Sequence, residues 1–291
     1  MLELNRTCLF APGNHPRKVE KVLDAGCDVV ILDLEDAVAV AEKKATRAVV
    51  VDALKKPRRC HGYVLDNSID TAYCYDDIEA TVGPWLDGLM LPKVERAADL
   101  QMADWMMVNL EQRLGLKPGS IDLLPIIETA KGMGAIREIA ACGGRLKRLS
   151  FGAGDYTRDL GLSWTFDEKE IAAARSEIVL ASRLAEIEPP IDTVFIHIRE
   201  HEAFERSARL GQEFGFQGKL CIHPDQIPIA NAVYTPSDDE LAWAKKIITS
   251  FDEAEAEGSA SIQVDGYFVD YPIVEKAQRI VEVAQAVAAQ G

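Results

Sequence analysis

Short apolar runs alternate with longer amphipathic stretches from Thr7 onward. A run with nothing polar inside it reads as a strand buried on both faces, and apolar positions recurring every three or four residues read as a helix packed on one side. Eight strands are predicted: Thr7–Ala11, Asp28–Leu32, Gly62–Leu65, Gly88–Leu91, Asp122–Ile127, Arg148–Phe151, Thr193–Ile198 and Lys219–Ile222. Helices are predicted between them over Arg17–Ala25, Glu42–Leu54, Ala97–Arg113, Gly132–Ala141, Glu168–Ala185 and Ala203–Glu213. Strand and helix in alternation are βα units around a parallel sheet, and eight units predict an α/β protein with a (β/α)₈ TIM barrel. A doubly wound open sheet is the competing architecture, but no G-x-G-x-x-G follows the first strand.

Past the eighth strand the pattern changes. A long helix over Ser237–Glu257 is followed by a hairpin, Ser261–Val264 and Tyr267–Val269, around Asp265-Gly266, a pair suited to a two-residue turn. A second helix over Pro272–Ala288 begins with proline at a favourable first position. The expected organisation is a barrel over residues 1–235 and a C-terminal helix–hairpin–helix extension over residues 236–291, serving as a lid or as an arm packed on a neighbouring subunit.

Composition narrows the partners. A net charge of −15 over 291 residues argues against nucleic acid or an anionic membrane surface, both of which call for a surplus of Lys and Arg. An anionic small molecule would need a local basic pocket. The six cysteines, Cys8, Cys27, Cys60, Cys74, Cys142 and Cys221, include no C-x-x-C pair and no zinc-ligand spacing, so they are expected to be reduced and mostly buried. Neither an apolar signal core nor a run of membrane-spanning length is present, and a cytoplasmic location is expected.

The residues just after each predicted strand are strongly acidic. Asp33, Glu35 and Asp36 follow the second, Asp66 the third, Glu128 the fifth and Asp155 the sixth. So many carboxylates on one rim repel and raise one another's pKa values, so a cation or basic ligand is expected to offset them. Glu128 and Asp155, at the same ends of neighbouring parallel strands, could share a hard divalent cation such as Mg²⁺, which takes few carboxylates and keeps several waters. Taken singly, either could instead be a helix N-cap. Lys93 after the fourth strand and Arg6 before the first could contact a thioester carbonyl or a phosphate, or could pair with rim acids; Gly132 could offer its N–H to an anion at a helix start. Lys43 and Arg47 beside Glu42 read as a solvated, salt-bridged helix face.

These stretches together resemble the citrate lyase β-subunit family, which includes citryl-CoA and malyl-CoA lyases within the HpcH/HpaI aldolase superfamily. The resemblance is carried by Arg6-Thr7-Cys8-Leu9-Phe10-Ala11-Pro12-Gly13, Asp33-Leu34-Glu35-Asp36-Ala37-Val38, Leu91-Pro92-Lys93, Ile127-Glu128-Thr129-Ala130, Phe151-Gly152-Ala153-Gly154-Asp155, Ile222-His223-Pro224 and Asp265-Gly266-Tyr267-Phe268-Val269-Asp270-Tyr271-Pro272. It implies a barrel that forms trimers or hexamers, binds Mg²⁺, and cleaves or forms a C–C bond beside an acyl thioester carried by CoA or a carrier protein. It also implies Glu128 and Asp155 as metal ligands, Glu35 and Asp36 behind them holding metal-bound waters, and Asn67 as a substrate contact. Asp270 would be the acid or base that a neighbouring subunit places over the site. Such cleavage develops charge on an enolate oxygen, which a divalent ion stabilises.

Two departures bear on the substrate. Leu65 stands where the family carries the arginine that grips a keto-acid carboxylate, a bidentate grip leucine cannot imitate. Ile196-His197-Ile198-Arg199, at the end of the seventh predicted strand, stands where the family commonly has an aspartate, so His197 or Arg199 could bind an anion from a different wall of the barrel, or His197 could be a packed core histidine. An acyl thioesterase on the same scaffold and a non-catalytic complex subunit are therefore the rival expectations.

Overall fold

The computed structural model describes residues 3–290. Eight parallel strands close into a barrel in sequence order: β1 (Thr7–Pro12), β2 (Val29–Asp33), β3 (His61–Leu65), β4 (Gly88–Leu91), β5 (Asp122–Ile127), β6 (Ser150–Phe151), β7 (Ile191–Asp192) and β8 (Gly218–Cys221). The helices are α1 (Pro16–Val22), α2 (Lys43–Leu54), α3 (Cys74–Thr81), α4 (Ala97–Arg113), α5 (Ala130–Gly134), α6 (Ile136–Ala140), α7 (Ala153–Leu160), α8 (Ala172–Leu184), α9 (His201–Phe214), α10 (Gln226–Val233), α11 (Asp238–Ala256) and α12 (Tyr271–Gln290). The predicted TIM barrel is the observed one.

Alternate residues of the strands fill the interior: Cys8, Val29, Ile31, Tyr63, Leu65, Met90, Leu124, Ile126, Ile191 and Leu220 form one apolar cluster. Because side chains alternate along a strand, the same register brings Asp33 and Glu128 to the C-terminal end of this column. Toward the other end Asp122 accepts from the Tyr63 hydroxyl at 2.6 Å and pairs with Arg148. The barrel is packed solid, so chemistry is confined to its rims.

Two predicted barrel strands are shorter than expected. Strand β7 is Ile191–Asp192, not Thr193–Ile198: the Thr193 hydroxyl accepts from the Ala153 N–H at 2.8 Å, and Ile196 and Ile198 emerge onto the surface, so the apolar run turns out of the sheet to line the rim. Strand β6 is Ser150–Phe151, and Arg148, predicted to open it, precedes it and pairs with Asp122 and Glu188.

Contacts divide the chain into two compact units, one of Asn5–Asn231 and another beginning at Ala232. In the second, α11 and α12 pack with the antiparallel strands β9 (Ile262–Val264) and β10 (Tyr267–Val269) around Ala244, Ile247, Phe251, Val264, Val269, Val274 and Ala277. Asp265 and Gly266, at φ 50° and 87°, give the hairpin its two-residue turn.

Candidate active site

The loops after β2, β4, β5 and β6 bring five predicted residues together: Glu35, Asp36, Lys93, Glu128 and Asp155. Glu128, at the end of β5, accepts the Lys93 N–H through Oε1 at 2.9 Å. Its Oε2 lies against Gly152, where a Cβ would come within 2.4 Å, so only glycine after β6 leaves room for this carboxylate. The Lys93 ammonium donates to Glu35, and lies 3.3 Å from Asp36 Oδ2 and 3.7 Å from Asp155 Oδ2. Lys93 adopts a left-handed φ of 51°. For a residue with a side chain this costs about 1–2 kcal/mol, which the Glu128 and Glu35 bonds offset.

The electrostatics follow from crowding. Burial, with Asp155 and Glu35 nearby, pushes the Glu128 carboxyl up to about 8. Burial lifts Glu35 to about 7 against the opposing pull of Lys93, and burial lifts Asp33 to about 6. Although burial favours the neutral amine, the bond to Glu35 and the fields of Glu128 and Asp155 hold the Lys93 ammonium more basic than usual. Four carboxylates thus surround one ammonium, and the site is built to receive positive charge.

Among the described residues no three His, Cys, Asp or Glu side chains converge into a metal cage. Magnesium does not require one, since it binds through one or two carboxylates plus water and substrate. The glycine-cleared space beside Glu128 and the stand-in ammonium between Glu35 and Asp155 are what such an ion needs from a protein.

Several expected residues are placed elsewhere. Arg6 precedes β1, and its guanidinium pairs bidentately with Asp28, before β2, at 2.7 and 2.9 Å. It therefore stands at the N-terminal end of the barrel, the opposite rim from Glu128. Asn67 is 2% exposed and engaged on both sides: Oδ1 accepts from Lys43 Nζ, and Nδ2 donates to Asp77 and to the Leu34 carbonyl. Gly132 gives its N–H to the Thr129 hydroxyl that caps α5, and an added Cβ would come within 2.4 Å of the Val94 carbonyl. Its glycine serves close packing, not anion binding. Asp270 belongs to the second unit, where its carbonyl accepts the N–H groups of Ile273 and Val274 at the start of α12.

Other residues at the site were not anticipated. Lys43, 7% exposed, is no solvated helix residue: Nζ donates to the Leu34 and Glu35 carbonyls and to Asn67. Arg47 is likewise buried against Asp77 at 2.6 Å, and Asp77 holds Asn67. This network fixes the backbone that presents Glu35. Arg158, one turn beyond Asp155 on α7, pairs with Asp155 Oδ1 at 2.6 Å; the three-residue spacing on a helix was the available signal. His197 stacks on Phe166 with ring centroids 4.2 Å apart.

Asp66 is fully buried, and neither carboxylate oxygen has a hydrogen-bond partner among the described residues. Burial, reinforced by Asp77, raises its pKa well above normal. A raised folded-state pKa means the native protein holds this proton more tightly than the unfolded chain, so the stability it contributes is complete at acid pH and is lost as pH rises toward the folded value. Asp66→Asn is therefore expected to raise the thermal midpoint at pH 8 and to leave it nearly unchanged at pH 4. A gain of equal size at both pH values would contradict this account of Asp66.

Comparison with known proteins places these features in a wider set. The sequence profile described as HpcH/HpaI aldolase/citrate lyase matches residues 6–224. The citrate lyase subunit beta of Leuconostoc mesenteroides subsp. cremoris is 36% identical over 285 residues, covering 97% of this chain and 94% of that one. An L-malyl-CoA/beta-methylmalyl-CoA lyase of Cereibacter sphaeroides is 34% identical over 308 residues, covering 98% and 96%. Among solved structures, protein CitE from Mycobacterium tuberculosis in complex with magnesium, acetoacetate and coenzyme A superposes with a TM-score of 0.78 at 31% identity, covering 97% of this chain and 98% of that one.

Proposed function

The chain belongs to the HpcH/HpaI aldolase/citrate lyase family, and from that membership we propose a magnesium-dependent carbon–carbon lyase acting on a 3-hydroxyacyl thioester or a related hydroxy acid. The observation that carries the reading is a cation, the Lys93 ammonium, held between Glu35 and Asp155 at the C-terminal rim, with the Glu128 carboxylate on the same residue's backbone N–H. Glu128 and Asp155 would hold the ion, which when bound supplies Lewis-acid stabilisation of oxygens that become negative as the C–C bond breaks.

The chain's own residues supply the rest. Glu35, held by the Lys43 network, and the exposed Asp36 stand beside Lys93, where they can accept hydrogen bonds from water around the cation. The Lys93 ammonium opposes the upward push that burial exerts on the Glu35 pKa and is positioned to turn toward a substrate carbonyl. Asp270, supplied by a second copy of the chain, takes the hydroxyl proton. Its neighbours support such an arm: Tyr267 and Phe268 are 65% and 68% exposed, apolar surface that a partner would cover. The thioester carrier is taken to be CoA, the molecule bound in the Mycobacterium tuberculosis relative. Citryl and malyl thioesters are the two substrate types that the relatives suggest.

One observation favours a second reading, hydrolysis of the thioester. Leu65, buried and in register with Asp33 and Met90, puts an apolar side chain where the family resemblance calls for an arginine. A lyase must hold a keto-acid carboxylate there, whereas a thioesterase need not. The test is to incubate a panel of hydroxyacyl-CoA compounds with Mg²⁺ and identify the products. A released keto acid together with a shortened acyl-CoA supports the lyase; intact hydroxy acid with free CoA replaces it with the thioesterase. If the lyase reading holds, Leu65→Arg should lower KM for a keto acid in the condensation direction by about tenfold, the worth of one charge-assisted bond. An unchanged KM would mean that the carboxylate is held elsewhere.

A further inference from the structure

The end of the barrel opposite the acidic rim carries unassigned chemistry. The segment Lys55–His61, which joins α2 to β3, lines a cavity of about 590 Å³ together with Trp85 and Asp87. On a chain of net charge −15 this lining is basic: it holds Lys55, Lys56, Arg58 and Arg59 with one carboxylate, Asp87, while Glu20 and Asp52 outside it pair with Lys56 and Lys55. Arg58 is fixed there by Asp87 and by the Trp85 carbonyl at 2.7 Å. Cys60 belongs to the same lining.

Cys60 is not alone. The His61 N–H donates to the Asp28 carbonyl at 2.9 Å, so the entries to β2 and β3 run side by side, with Cys27 two residues before β2 and Cys60 one residue before β3. Backbones paired in this way lie about 4.8 Å apart, so residues entering the two strands are close neighbours. Both thiols aim at the same turn: Cys60 Sγ donates to the Leu23 carbonyl at 3.6 Å, and Cys27 Sγ to that of the preceding residue, Val22, at 4.0 Å. Both residues are reduced, at 6% exposed for Cys27 and 8% for Cys60. The neighbouring Cys27 thiol, with Arg58 and His61 nearby, favours the thiolate at Cys60, while Cys27 holds its own proton correspondingly harder. Reactive cysteines need such electropositive, partly accessible surroundings.

We propose that Cys27 and Cys60 form an oxidisable dithiol, with Cys60 as the thiolate attacked first, through the basic cavity, and Cys27 as the resolving partner. The oxidant is a peroxide. The Cys60 thiolate attacks one peroxide oxygen, the O–O bond breaks, and hydroxide leaves and takes up a proton, giving the sulfenic acid. Cys27, losing its proton, then attacks that sulfur; the S–O bond breaks, water departs, and the disulfide remains. The sum is two thiols and one hydrogen peroxide giving one disulfide and two waters, reversed by a dithiol reductant.

Cys8 and Cys221 provide an internal comparison. They also come from neighbouring strands and are both buried, but they are one residue out of register, so Cys8 faces the barrel interior and Cys221 the opposite side of the sheet. Cys142, half-buried with no thiol partner given by the fold, reports exposure alone.

The test is mass spectrometry of the full chain treated with hydrogen peroxide and alkylated after denaturation. The expected result is loss of two hydrogens and a Cys27–Cys60 linked peptide formed several-fold faster than any other modification. In Cys27→Ser the sulfenic acid should persist and be trapped by dimedone at Cys60, whereas Cys60→Ser should leave Cys27 unlabelled. Oxidation of Cys142 with Cys27 and Cys60 still alkylated as free thiols, or linkage of Cys8 to Cys221 at an equal rate, would overturn the proposal.

Discussion

Glu128→Gln and Asp155→Asn are each expected to lower kcat by about 10³-fold, the scale on which a bound metal stabilises developing charge, which is worth several kcal/mol. Neither exchange should unfold the protein. Glu128 is a buried carboxylate pushed up to about 8 by burial and by its acidic neighbours, so without a bound cation its charge is a burden on the fold. Glutamine keeps an oxygen to accept the Lys93 N–H and removes the repulsion with Asp155 and Glu35. Thermal midpoints equal to or above wild type, measured without magnesium, are therefore expected alongside the loss of activity. Calorimetric titration with Mg²⁺ separates the causes: affinity should fall in both variants. If it is unchanged in both, these two side chains do not hold the ion and the lyase reading loses its basis.

Glu128 and Asp155 were legible in the sequence because each follows an apolar run whose type and end are locally encoded. A carboxylate at a strand's C-terminal end falls on the functional rim of a barrel whatever its neighbours do. Residues whose role depends on a distant partner were not legible. Arg6 read as a ligand contact because Asp28 is 22 positions away in sequence, yet β1 and β2 register places their entries side by side. Lys43 and Arg47 read as solvated because their local neighbours are charged; only the packing of α2 on α3 brings Asp77 to Arg47 and turns that face inward. Strand β7 was misplaced for a related reason, since an apolar run that lines a rim has the same pattern as one inside a sheet. Cys27 and Cys60 carry no spacing signal at all.

Asp192→Ala is expected to be the most destabilising single exchange in the barrel, costing about 3–5 kcal/mol out of a total of about 5–15 kcal/mol. Asp192 is fully buried on β7, where it receives Arg175 Nε and Nη2 at 2.9 Å each and Lys219 Nζ at 2.7 Å. Alanine would leave two buried cations with Glu168, 2.9 Å from Arg175, as their remaining acidic partner. The location magnifies the loss. One registered residue pair, Ser150 with Ile191, joins β6 to β7, and two join β7 to β8, so the seam on either side of β7 is thinly paired and the ionic cluster ties β7 and β8 to α8. Burial alone would raise the pKa of Asp192, but Lys219 and Arg175 outweigh it and hold the carboxyl below normal. The stability it contributes is therefore present above the unfolded-state pKa of about 3.9 and lost as pH falls through the lower folded value. Urea unfolding at pH 7 should show the full deficit in Asp192→Ala, and the gap to wild type should narrow in strong acid. Adding Arg175→Met and Lys219→Met to Asp192→Ala should restore much of the loss, because removing the stranded cations removes the penalty. A deficit below about 1 kcal/mol in the single variant would place it among ordinary surface pairs and leave the seam to be held by packing alone.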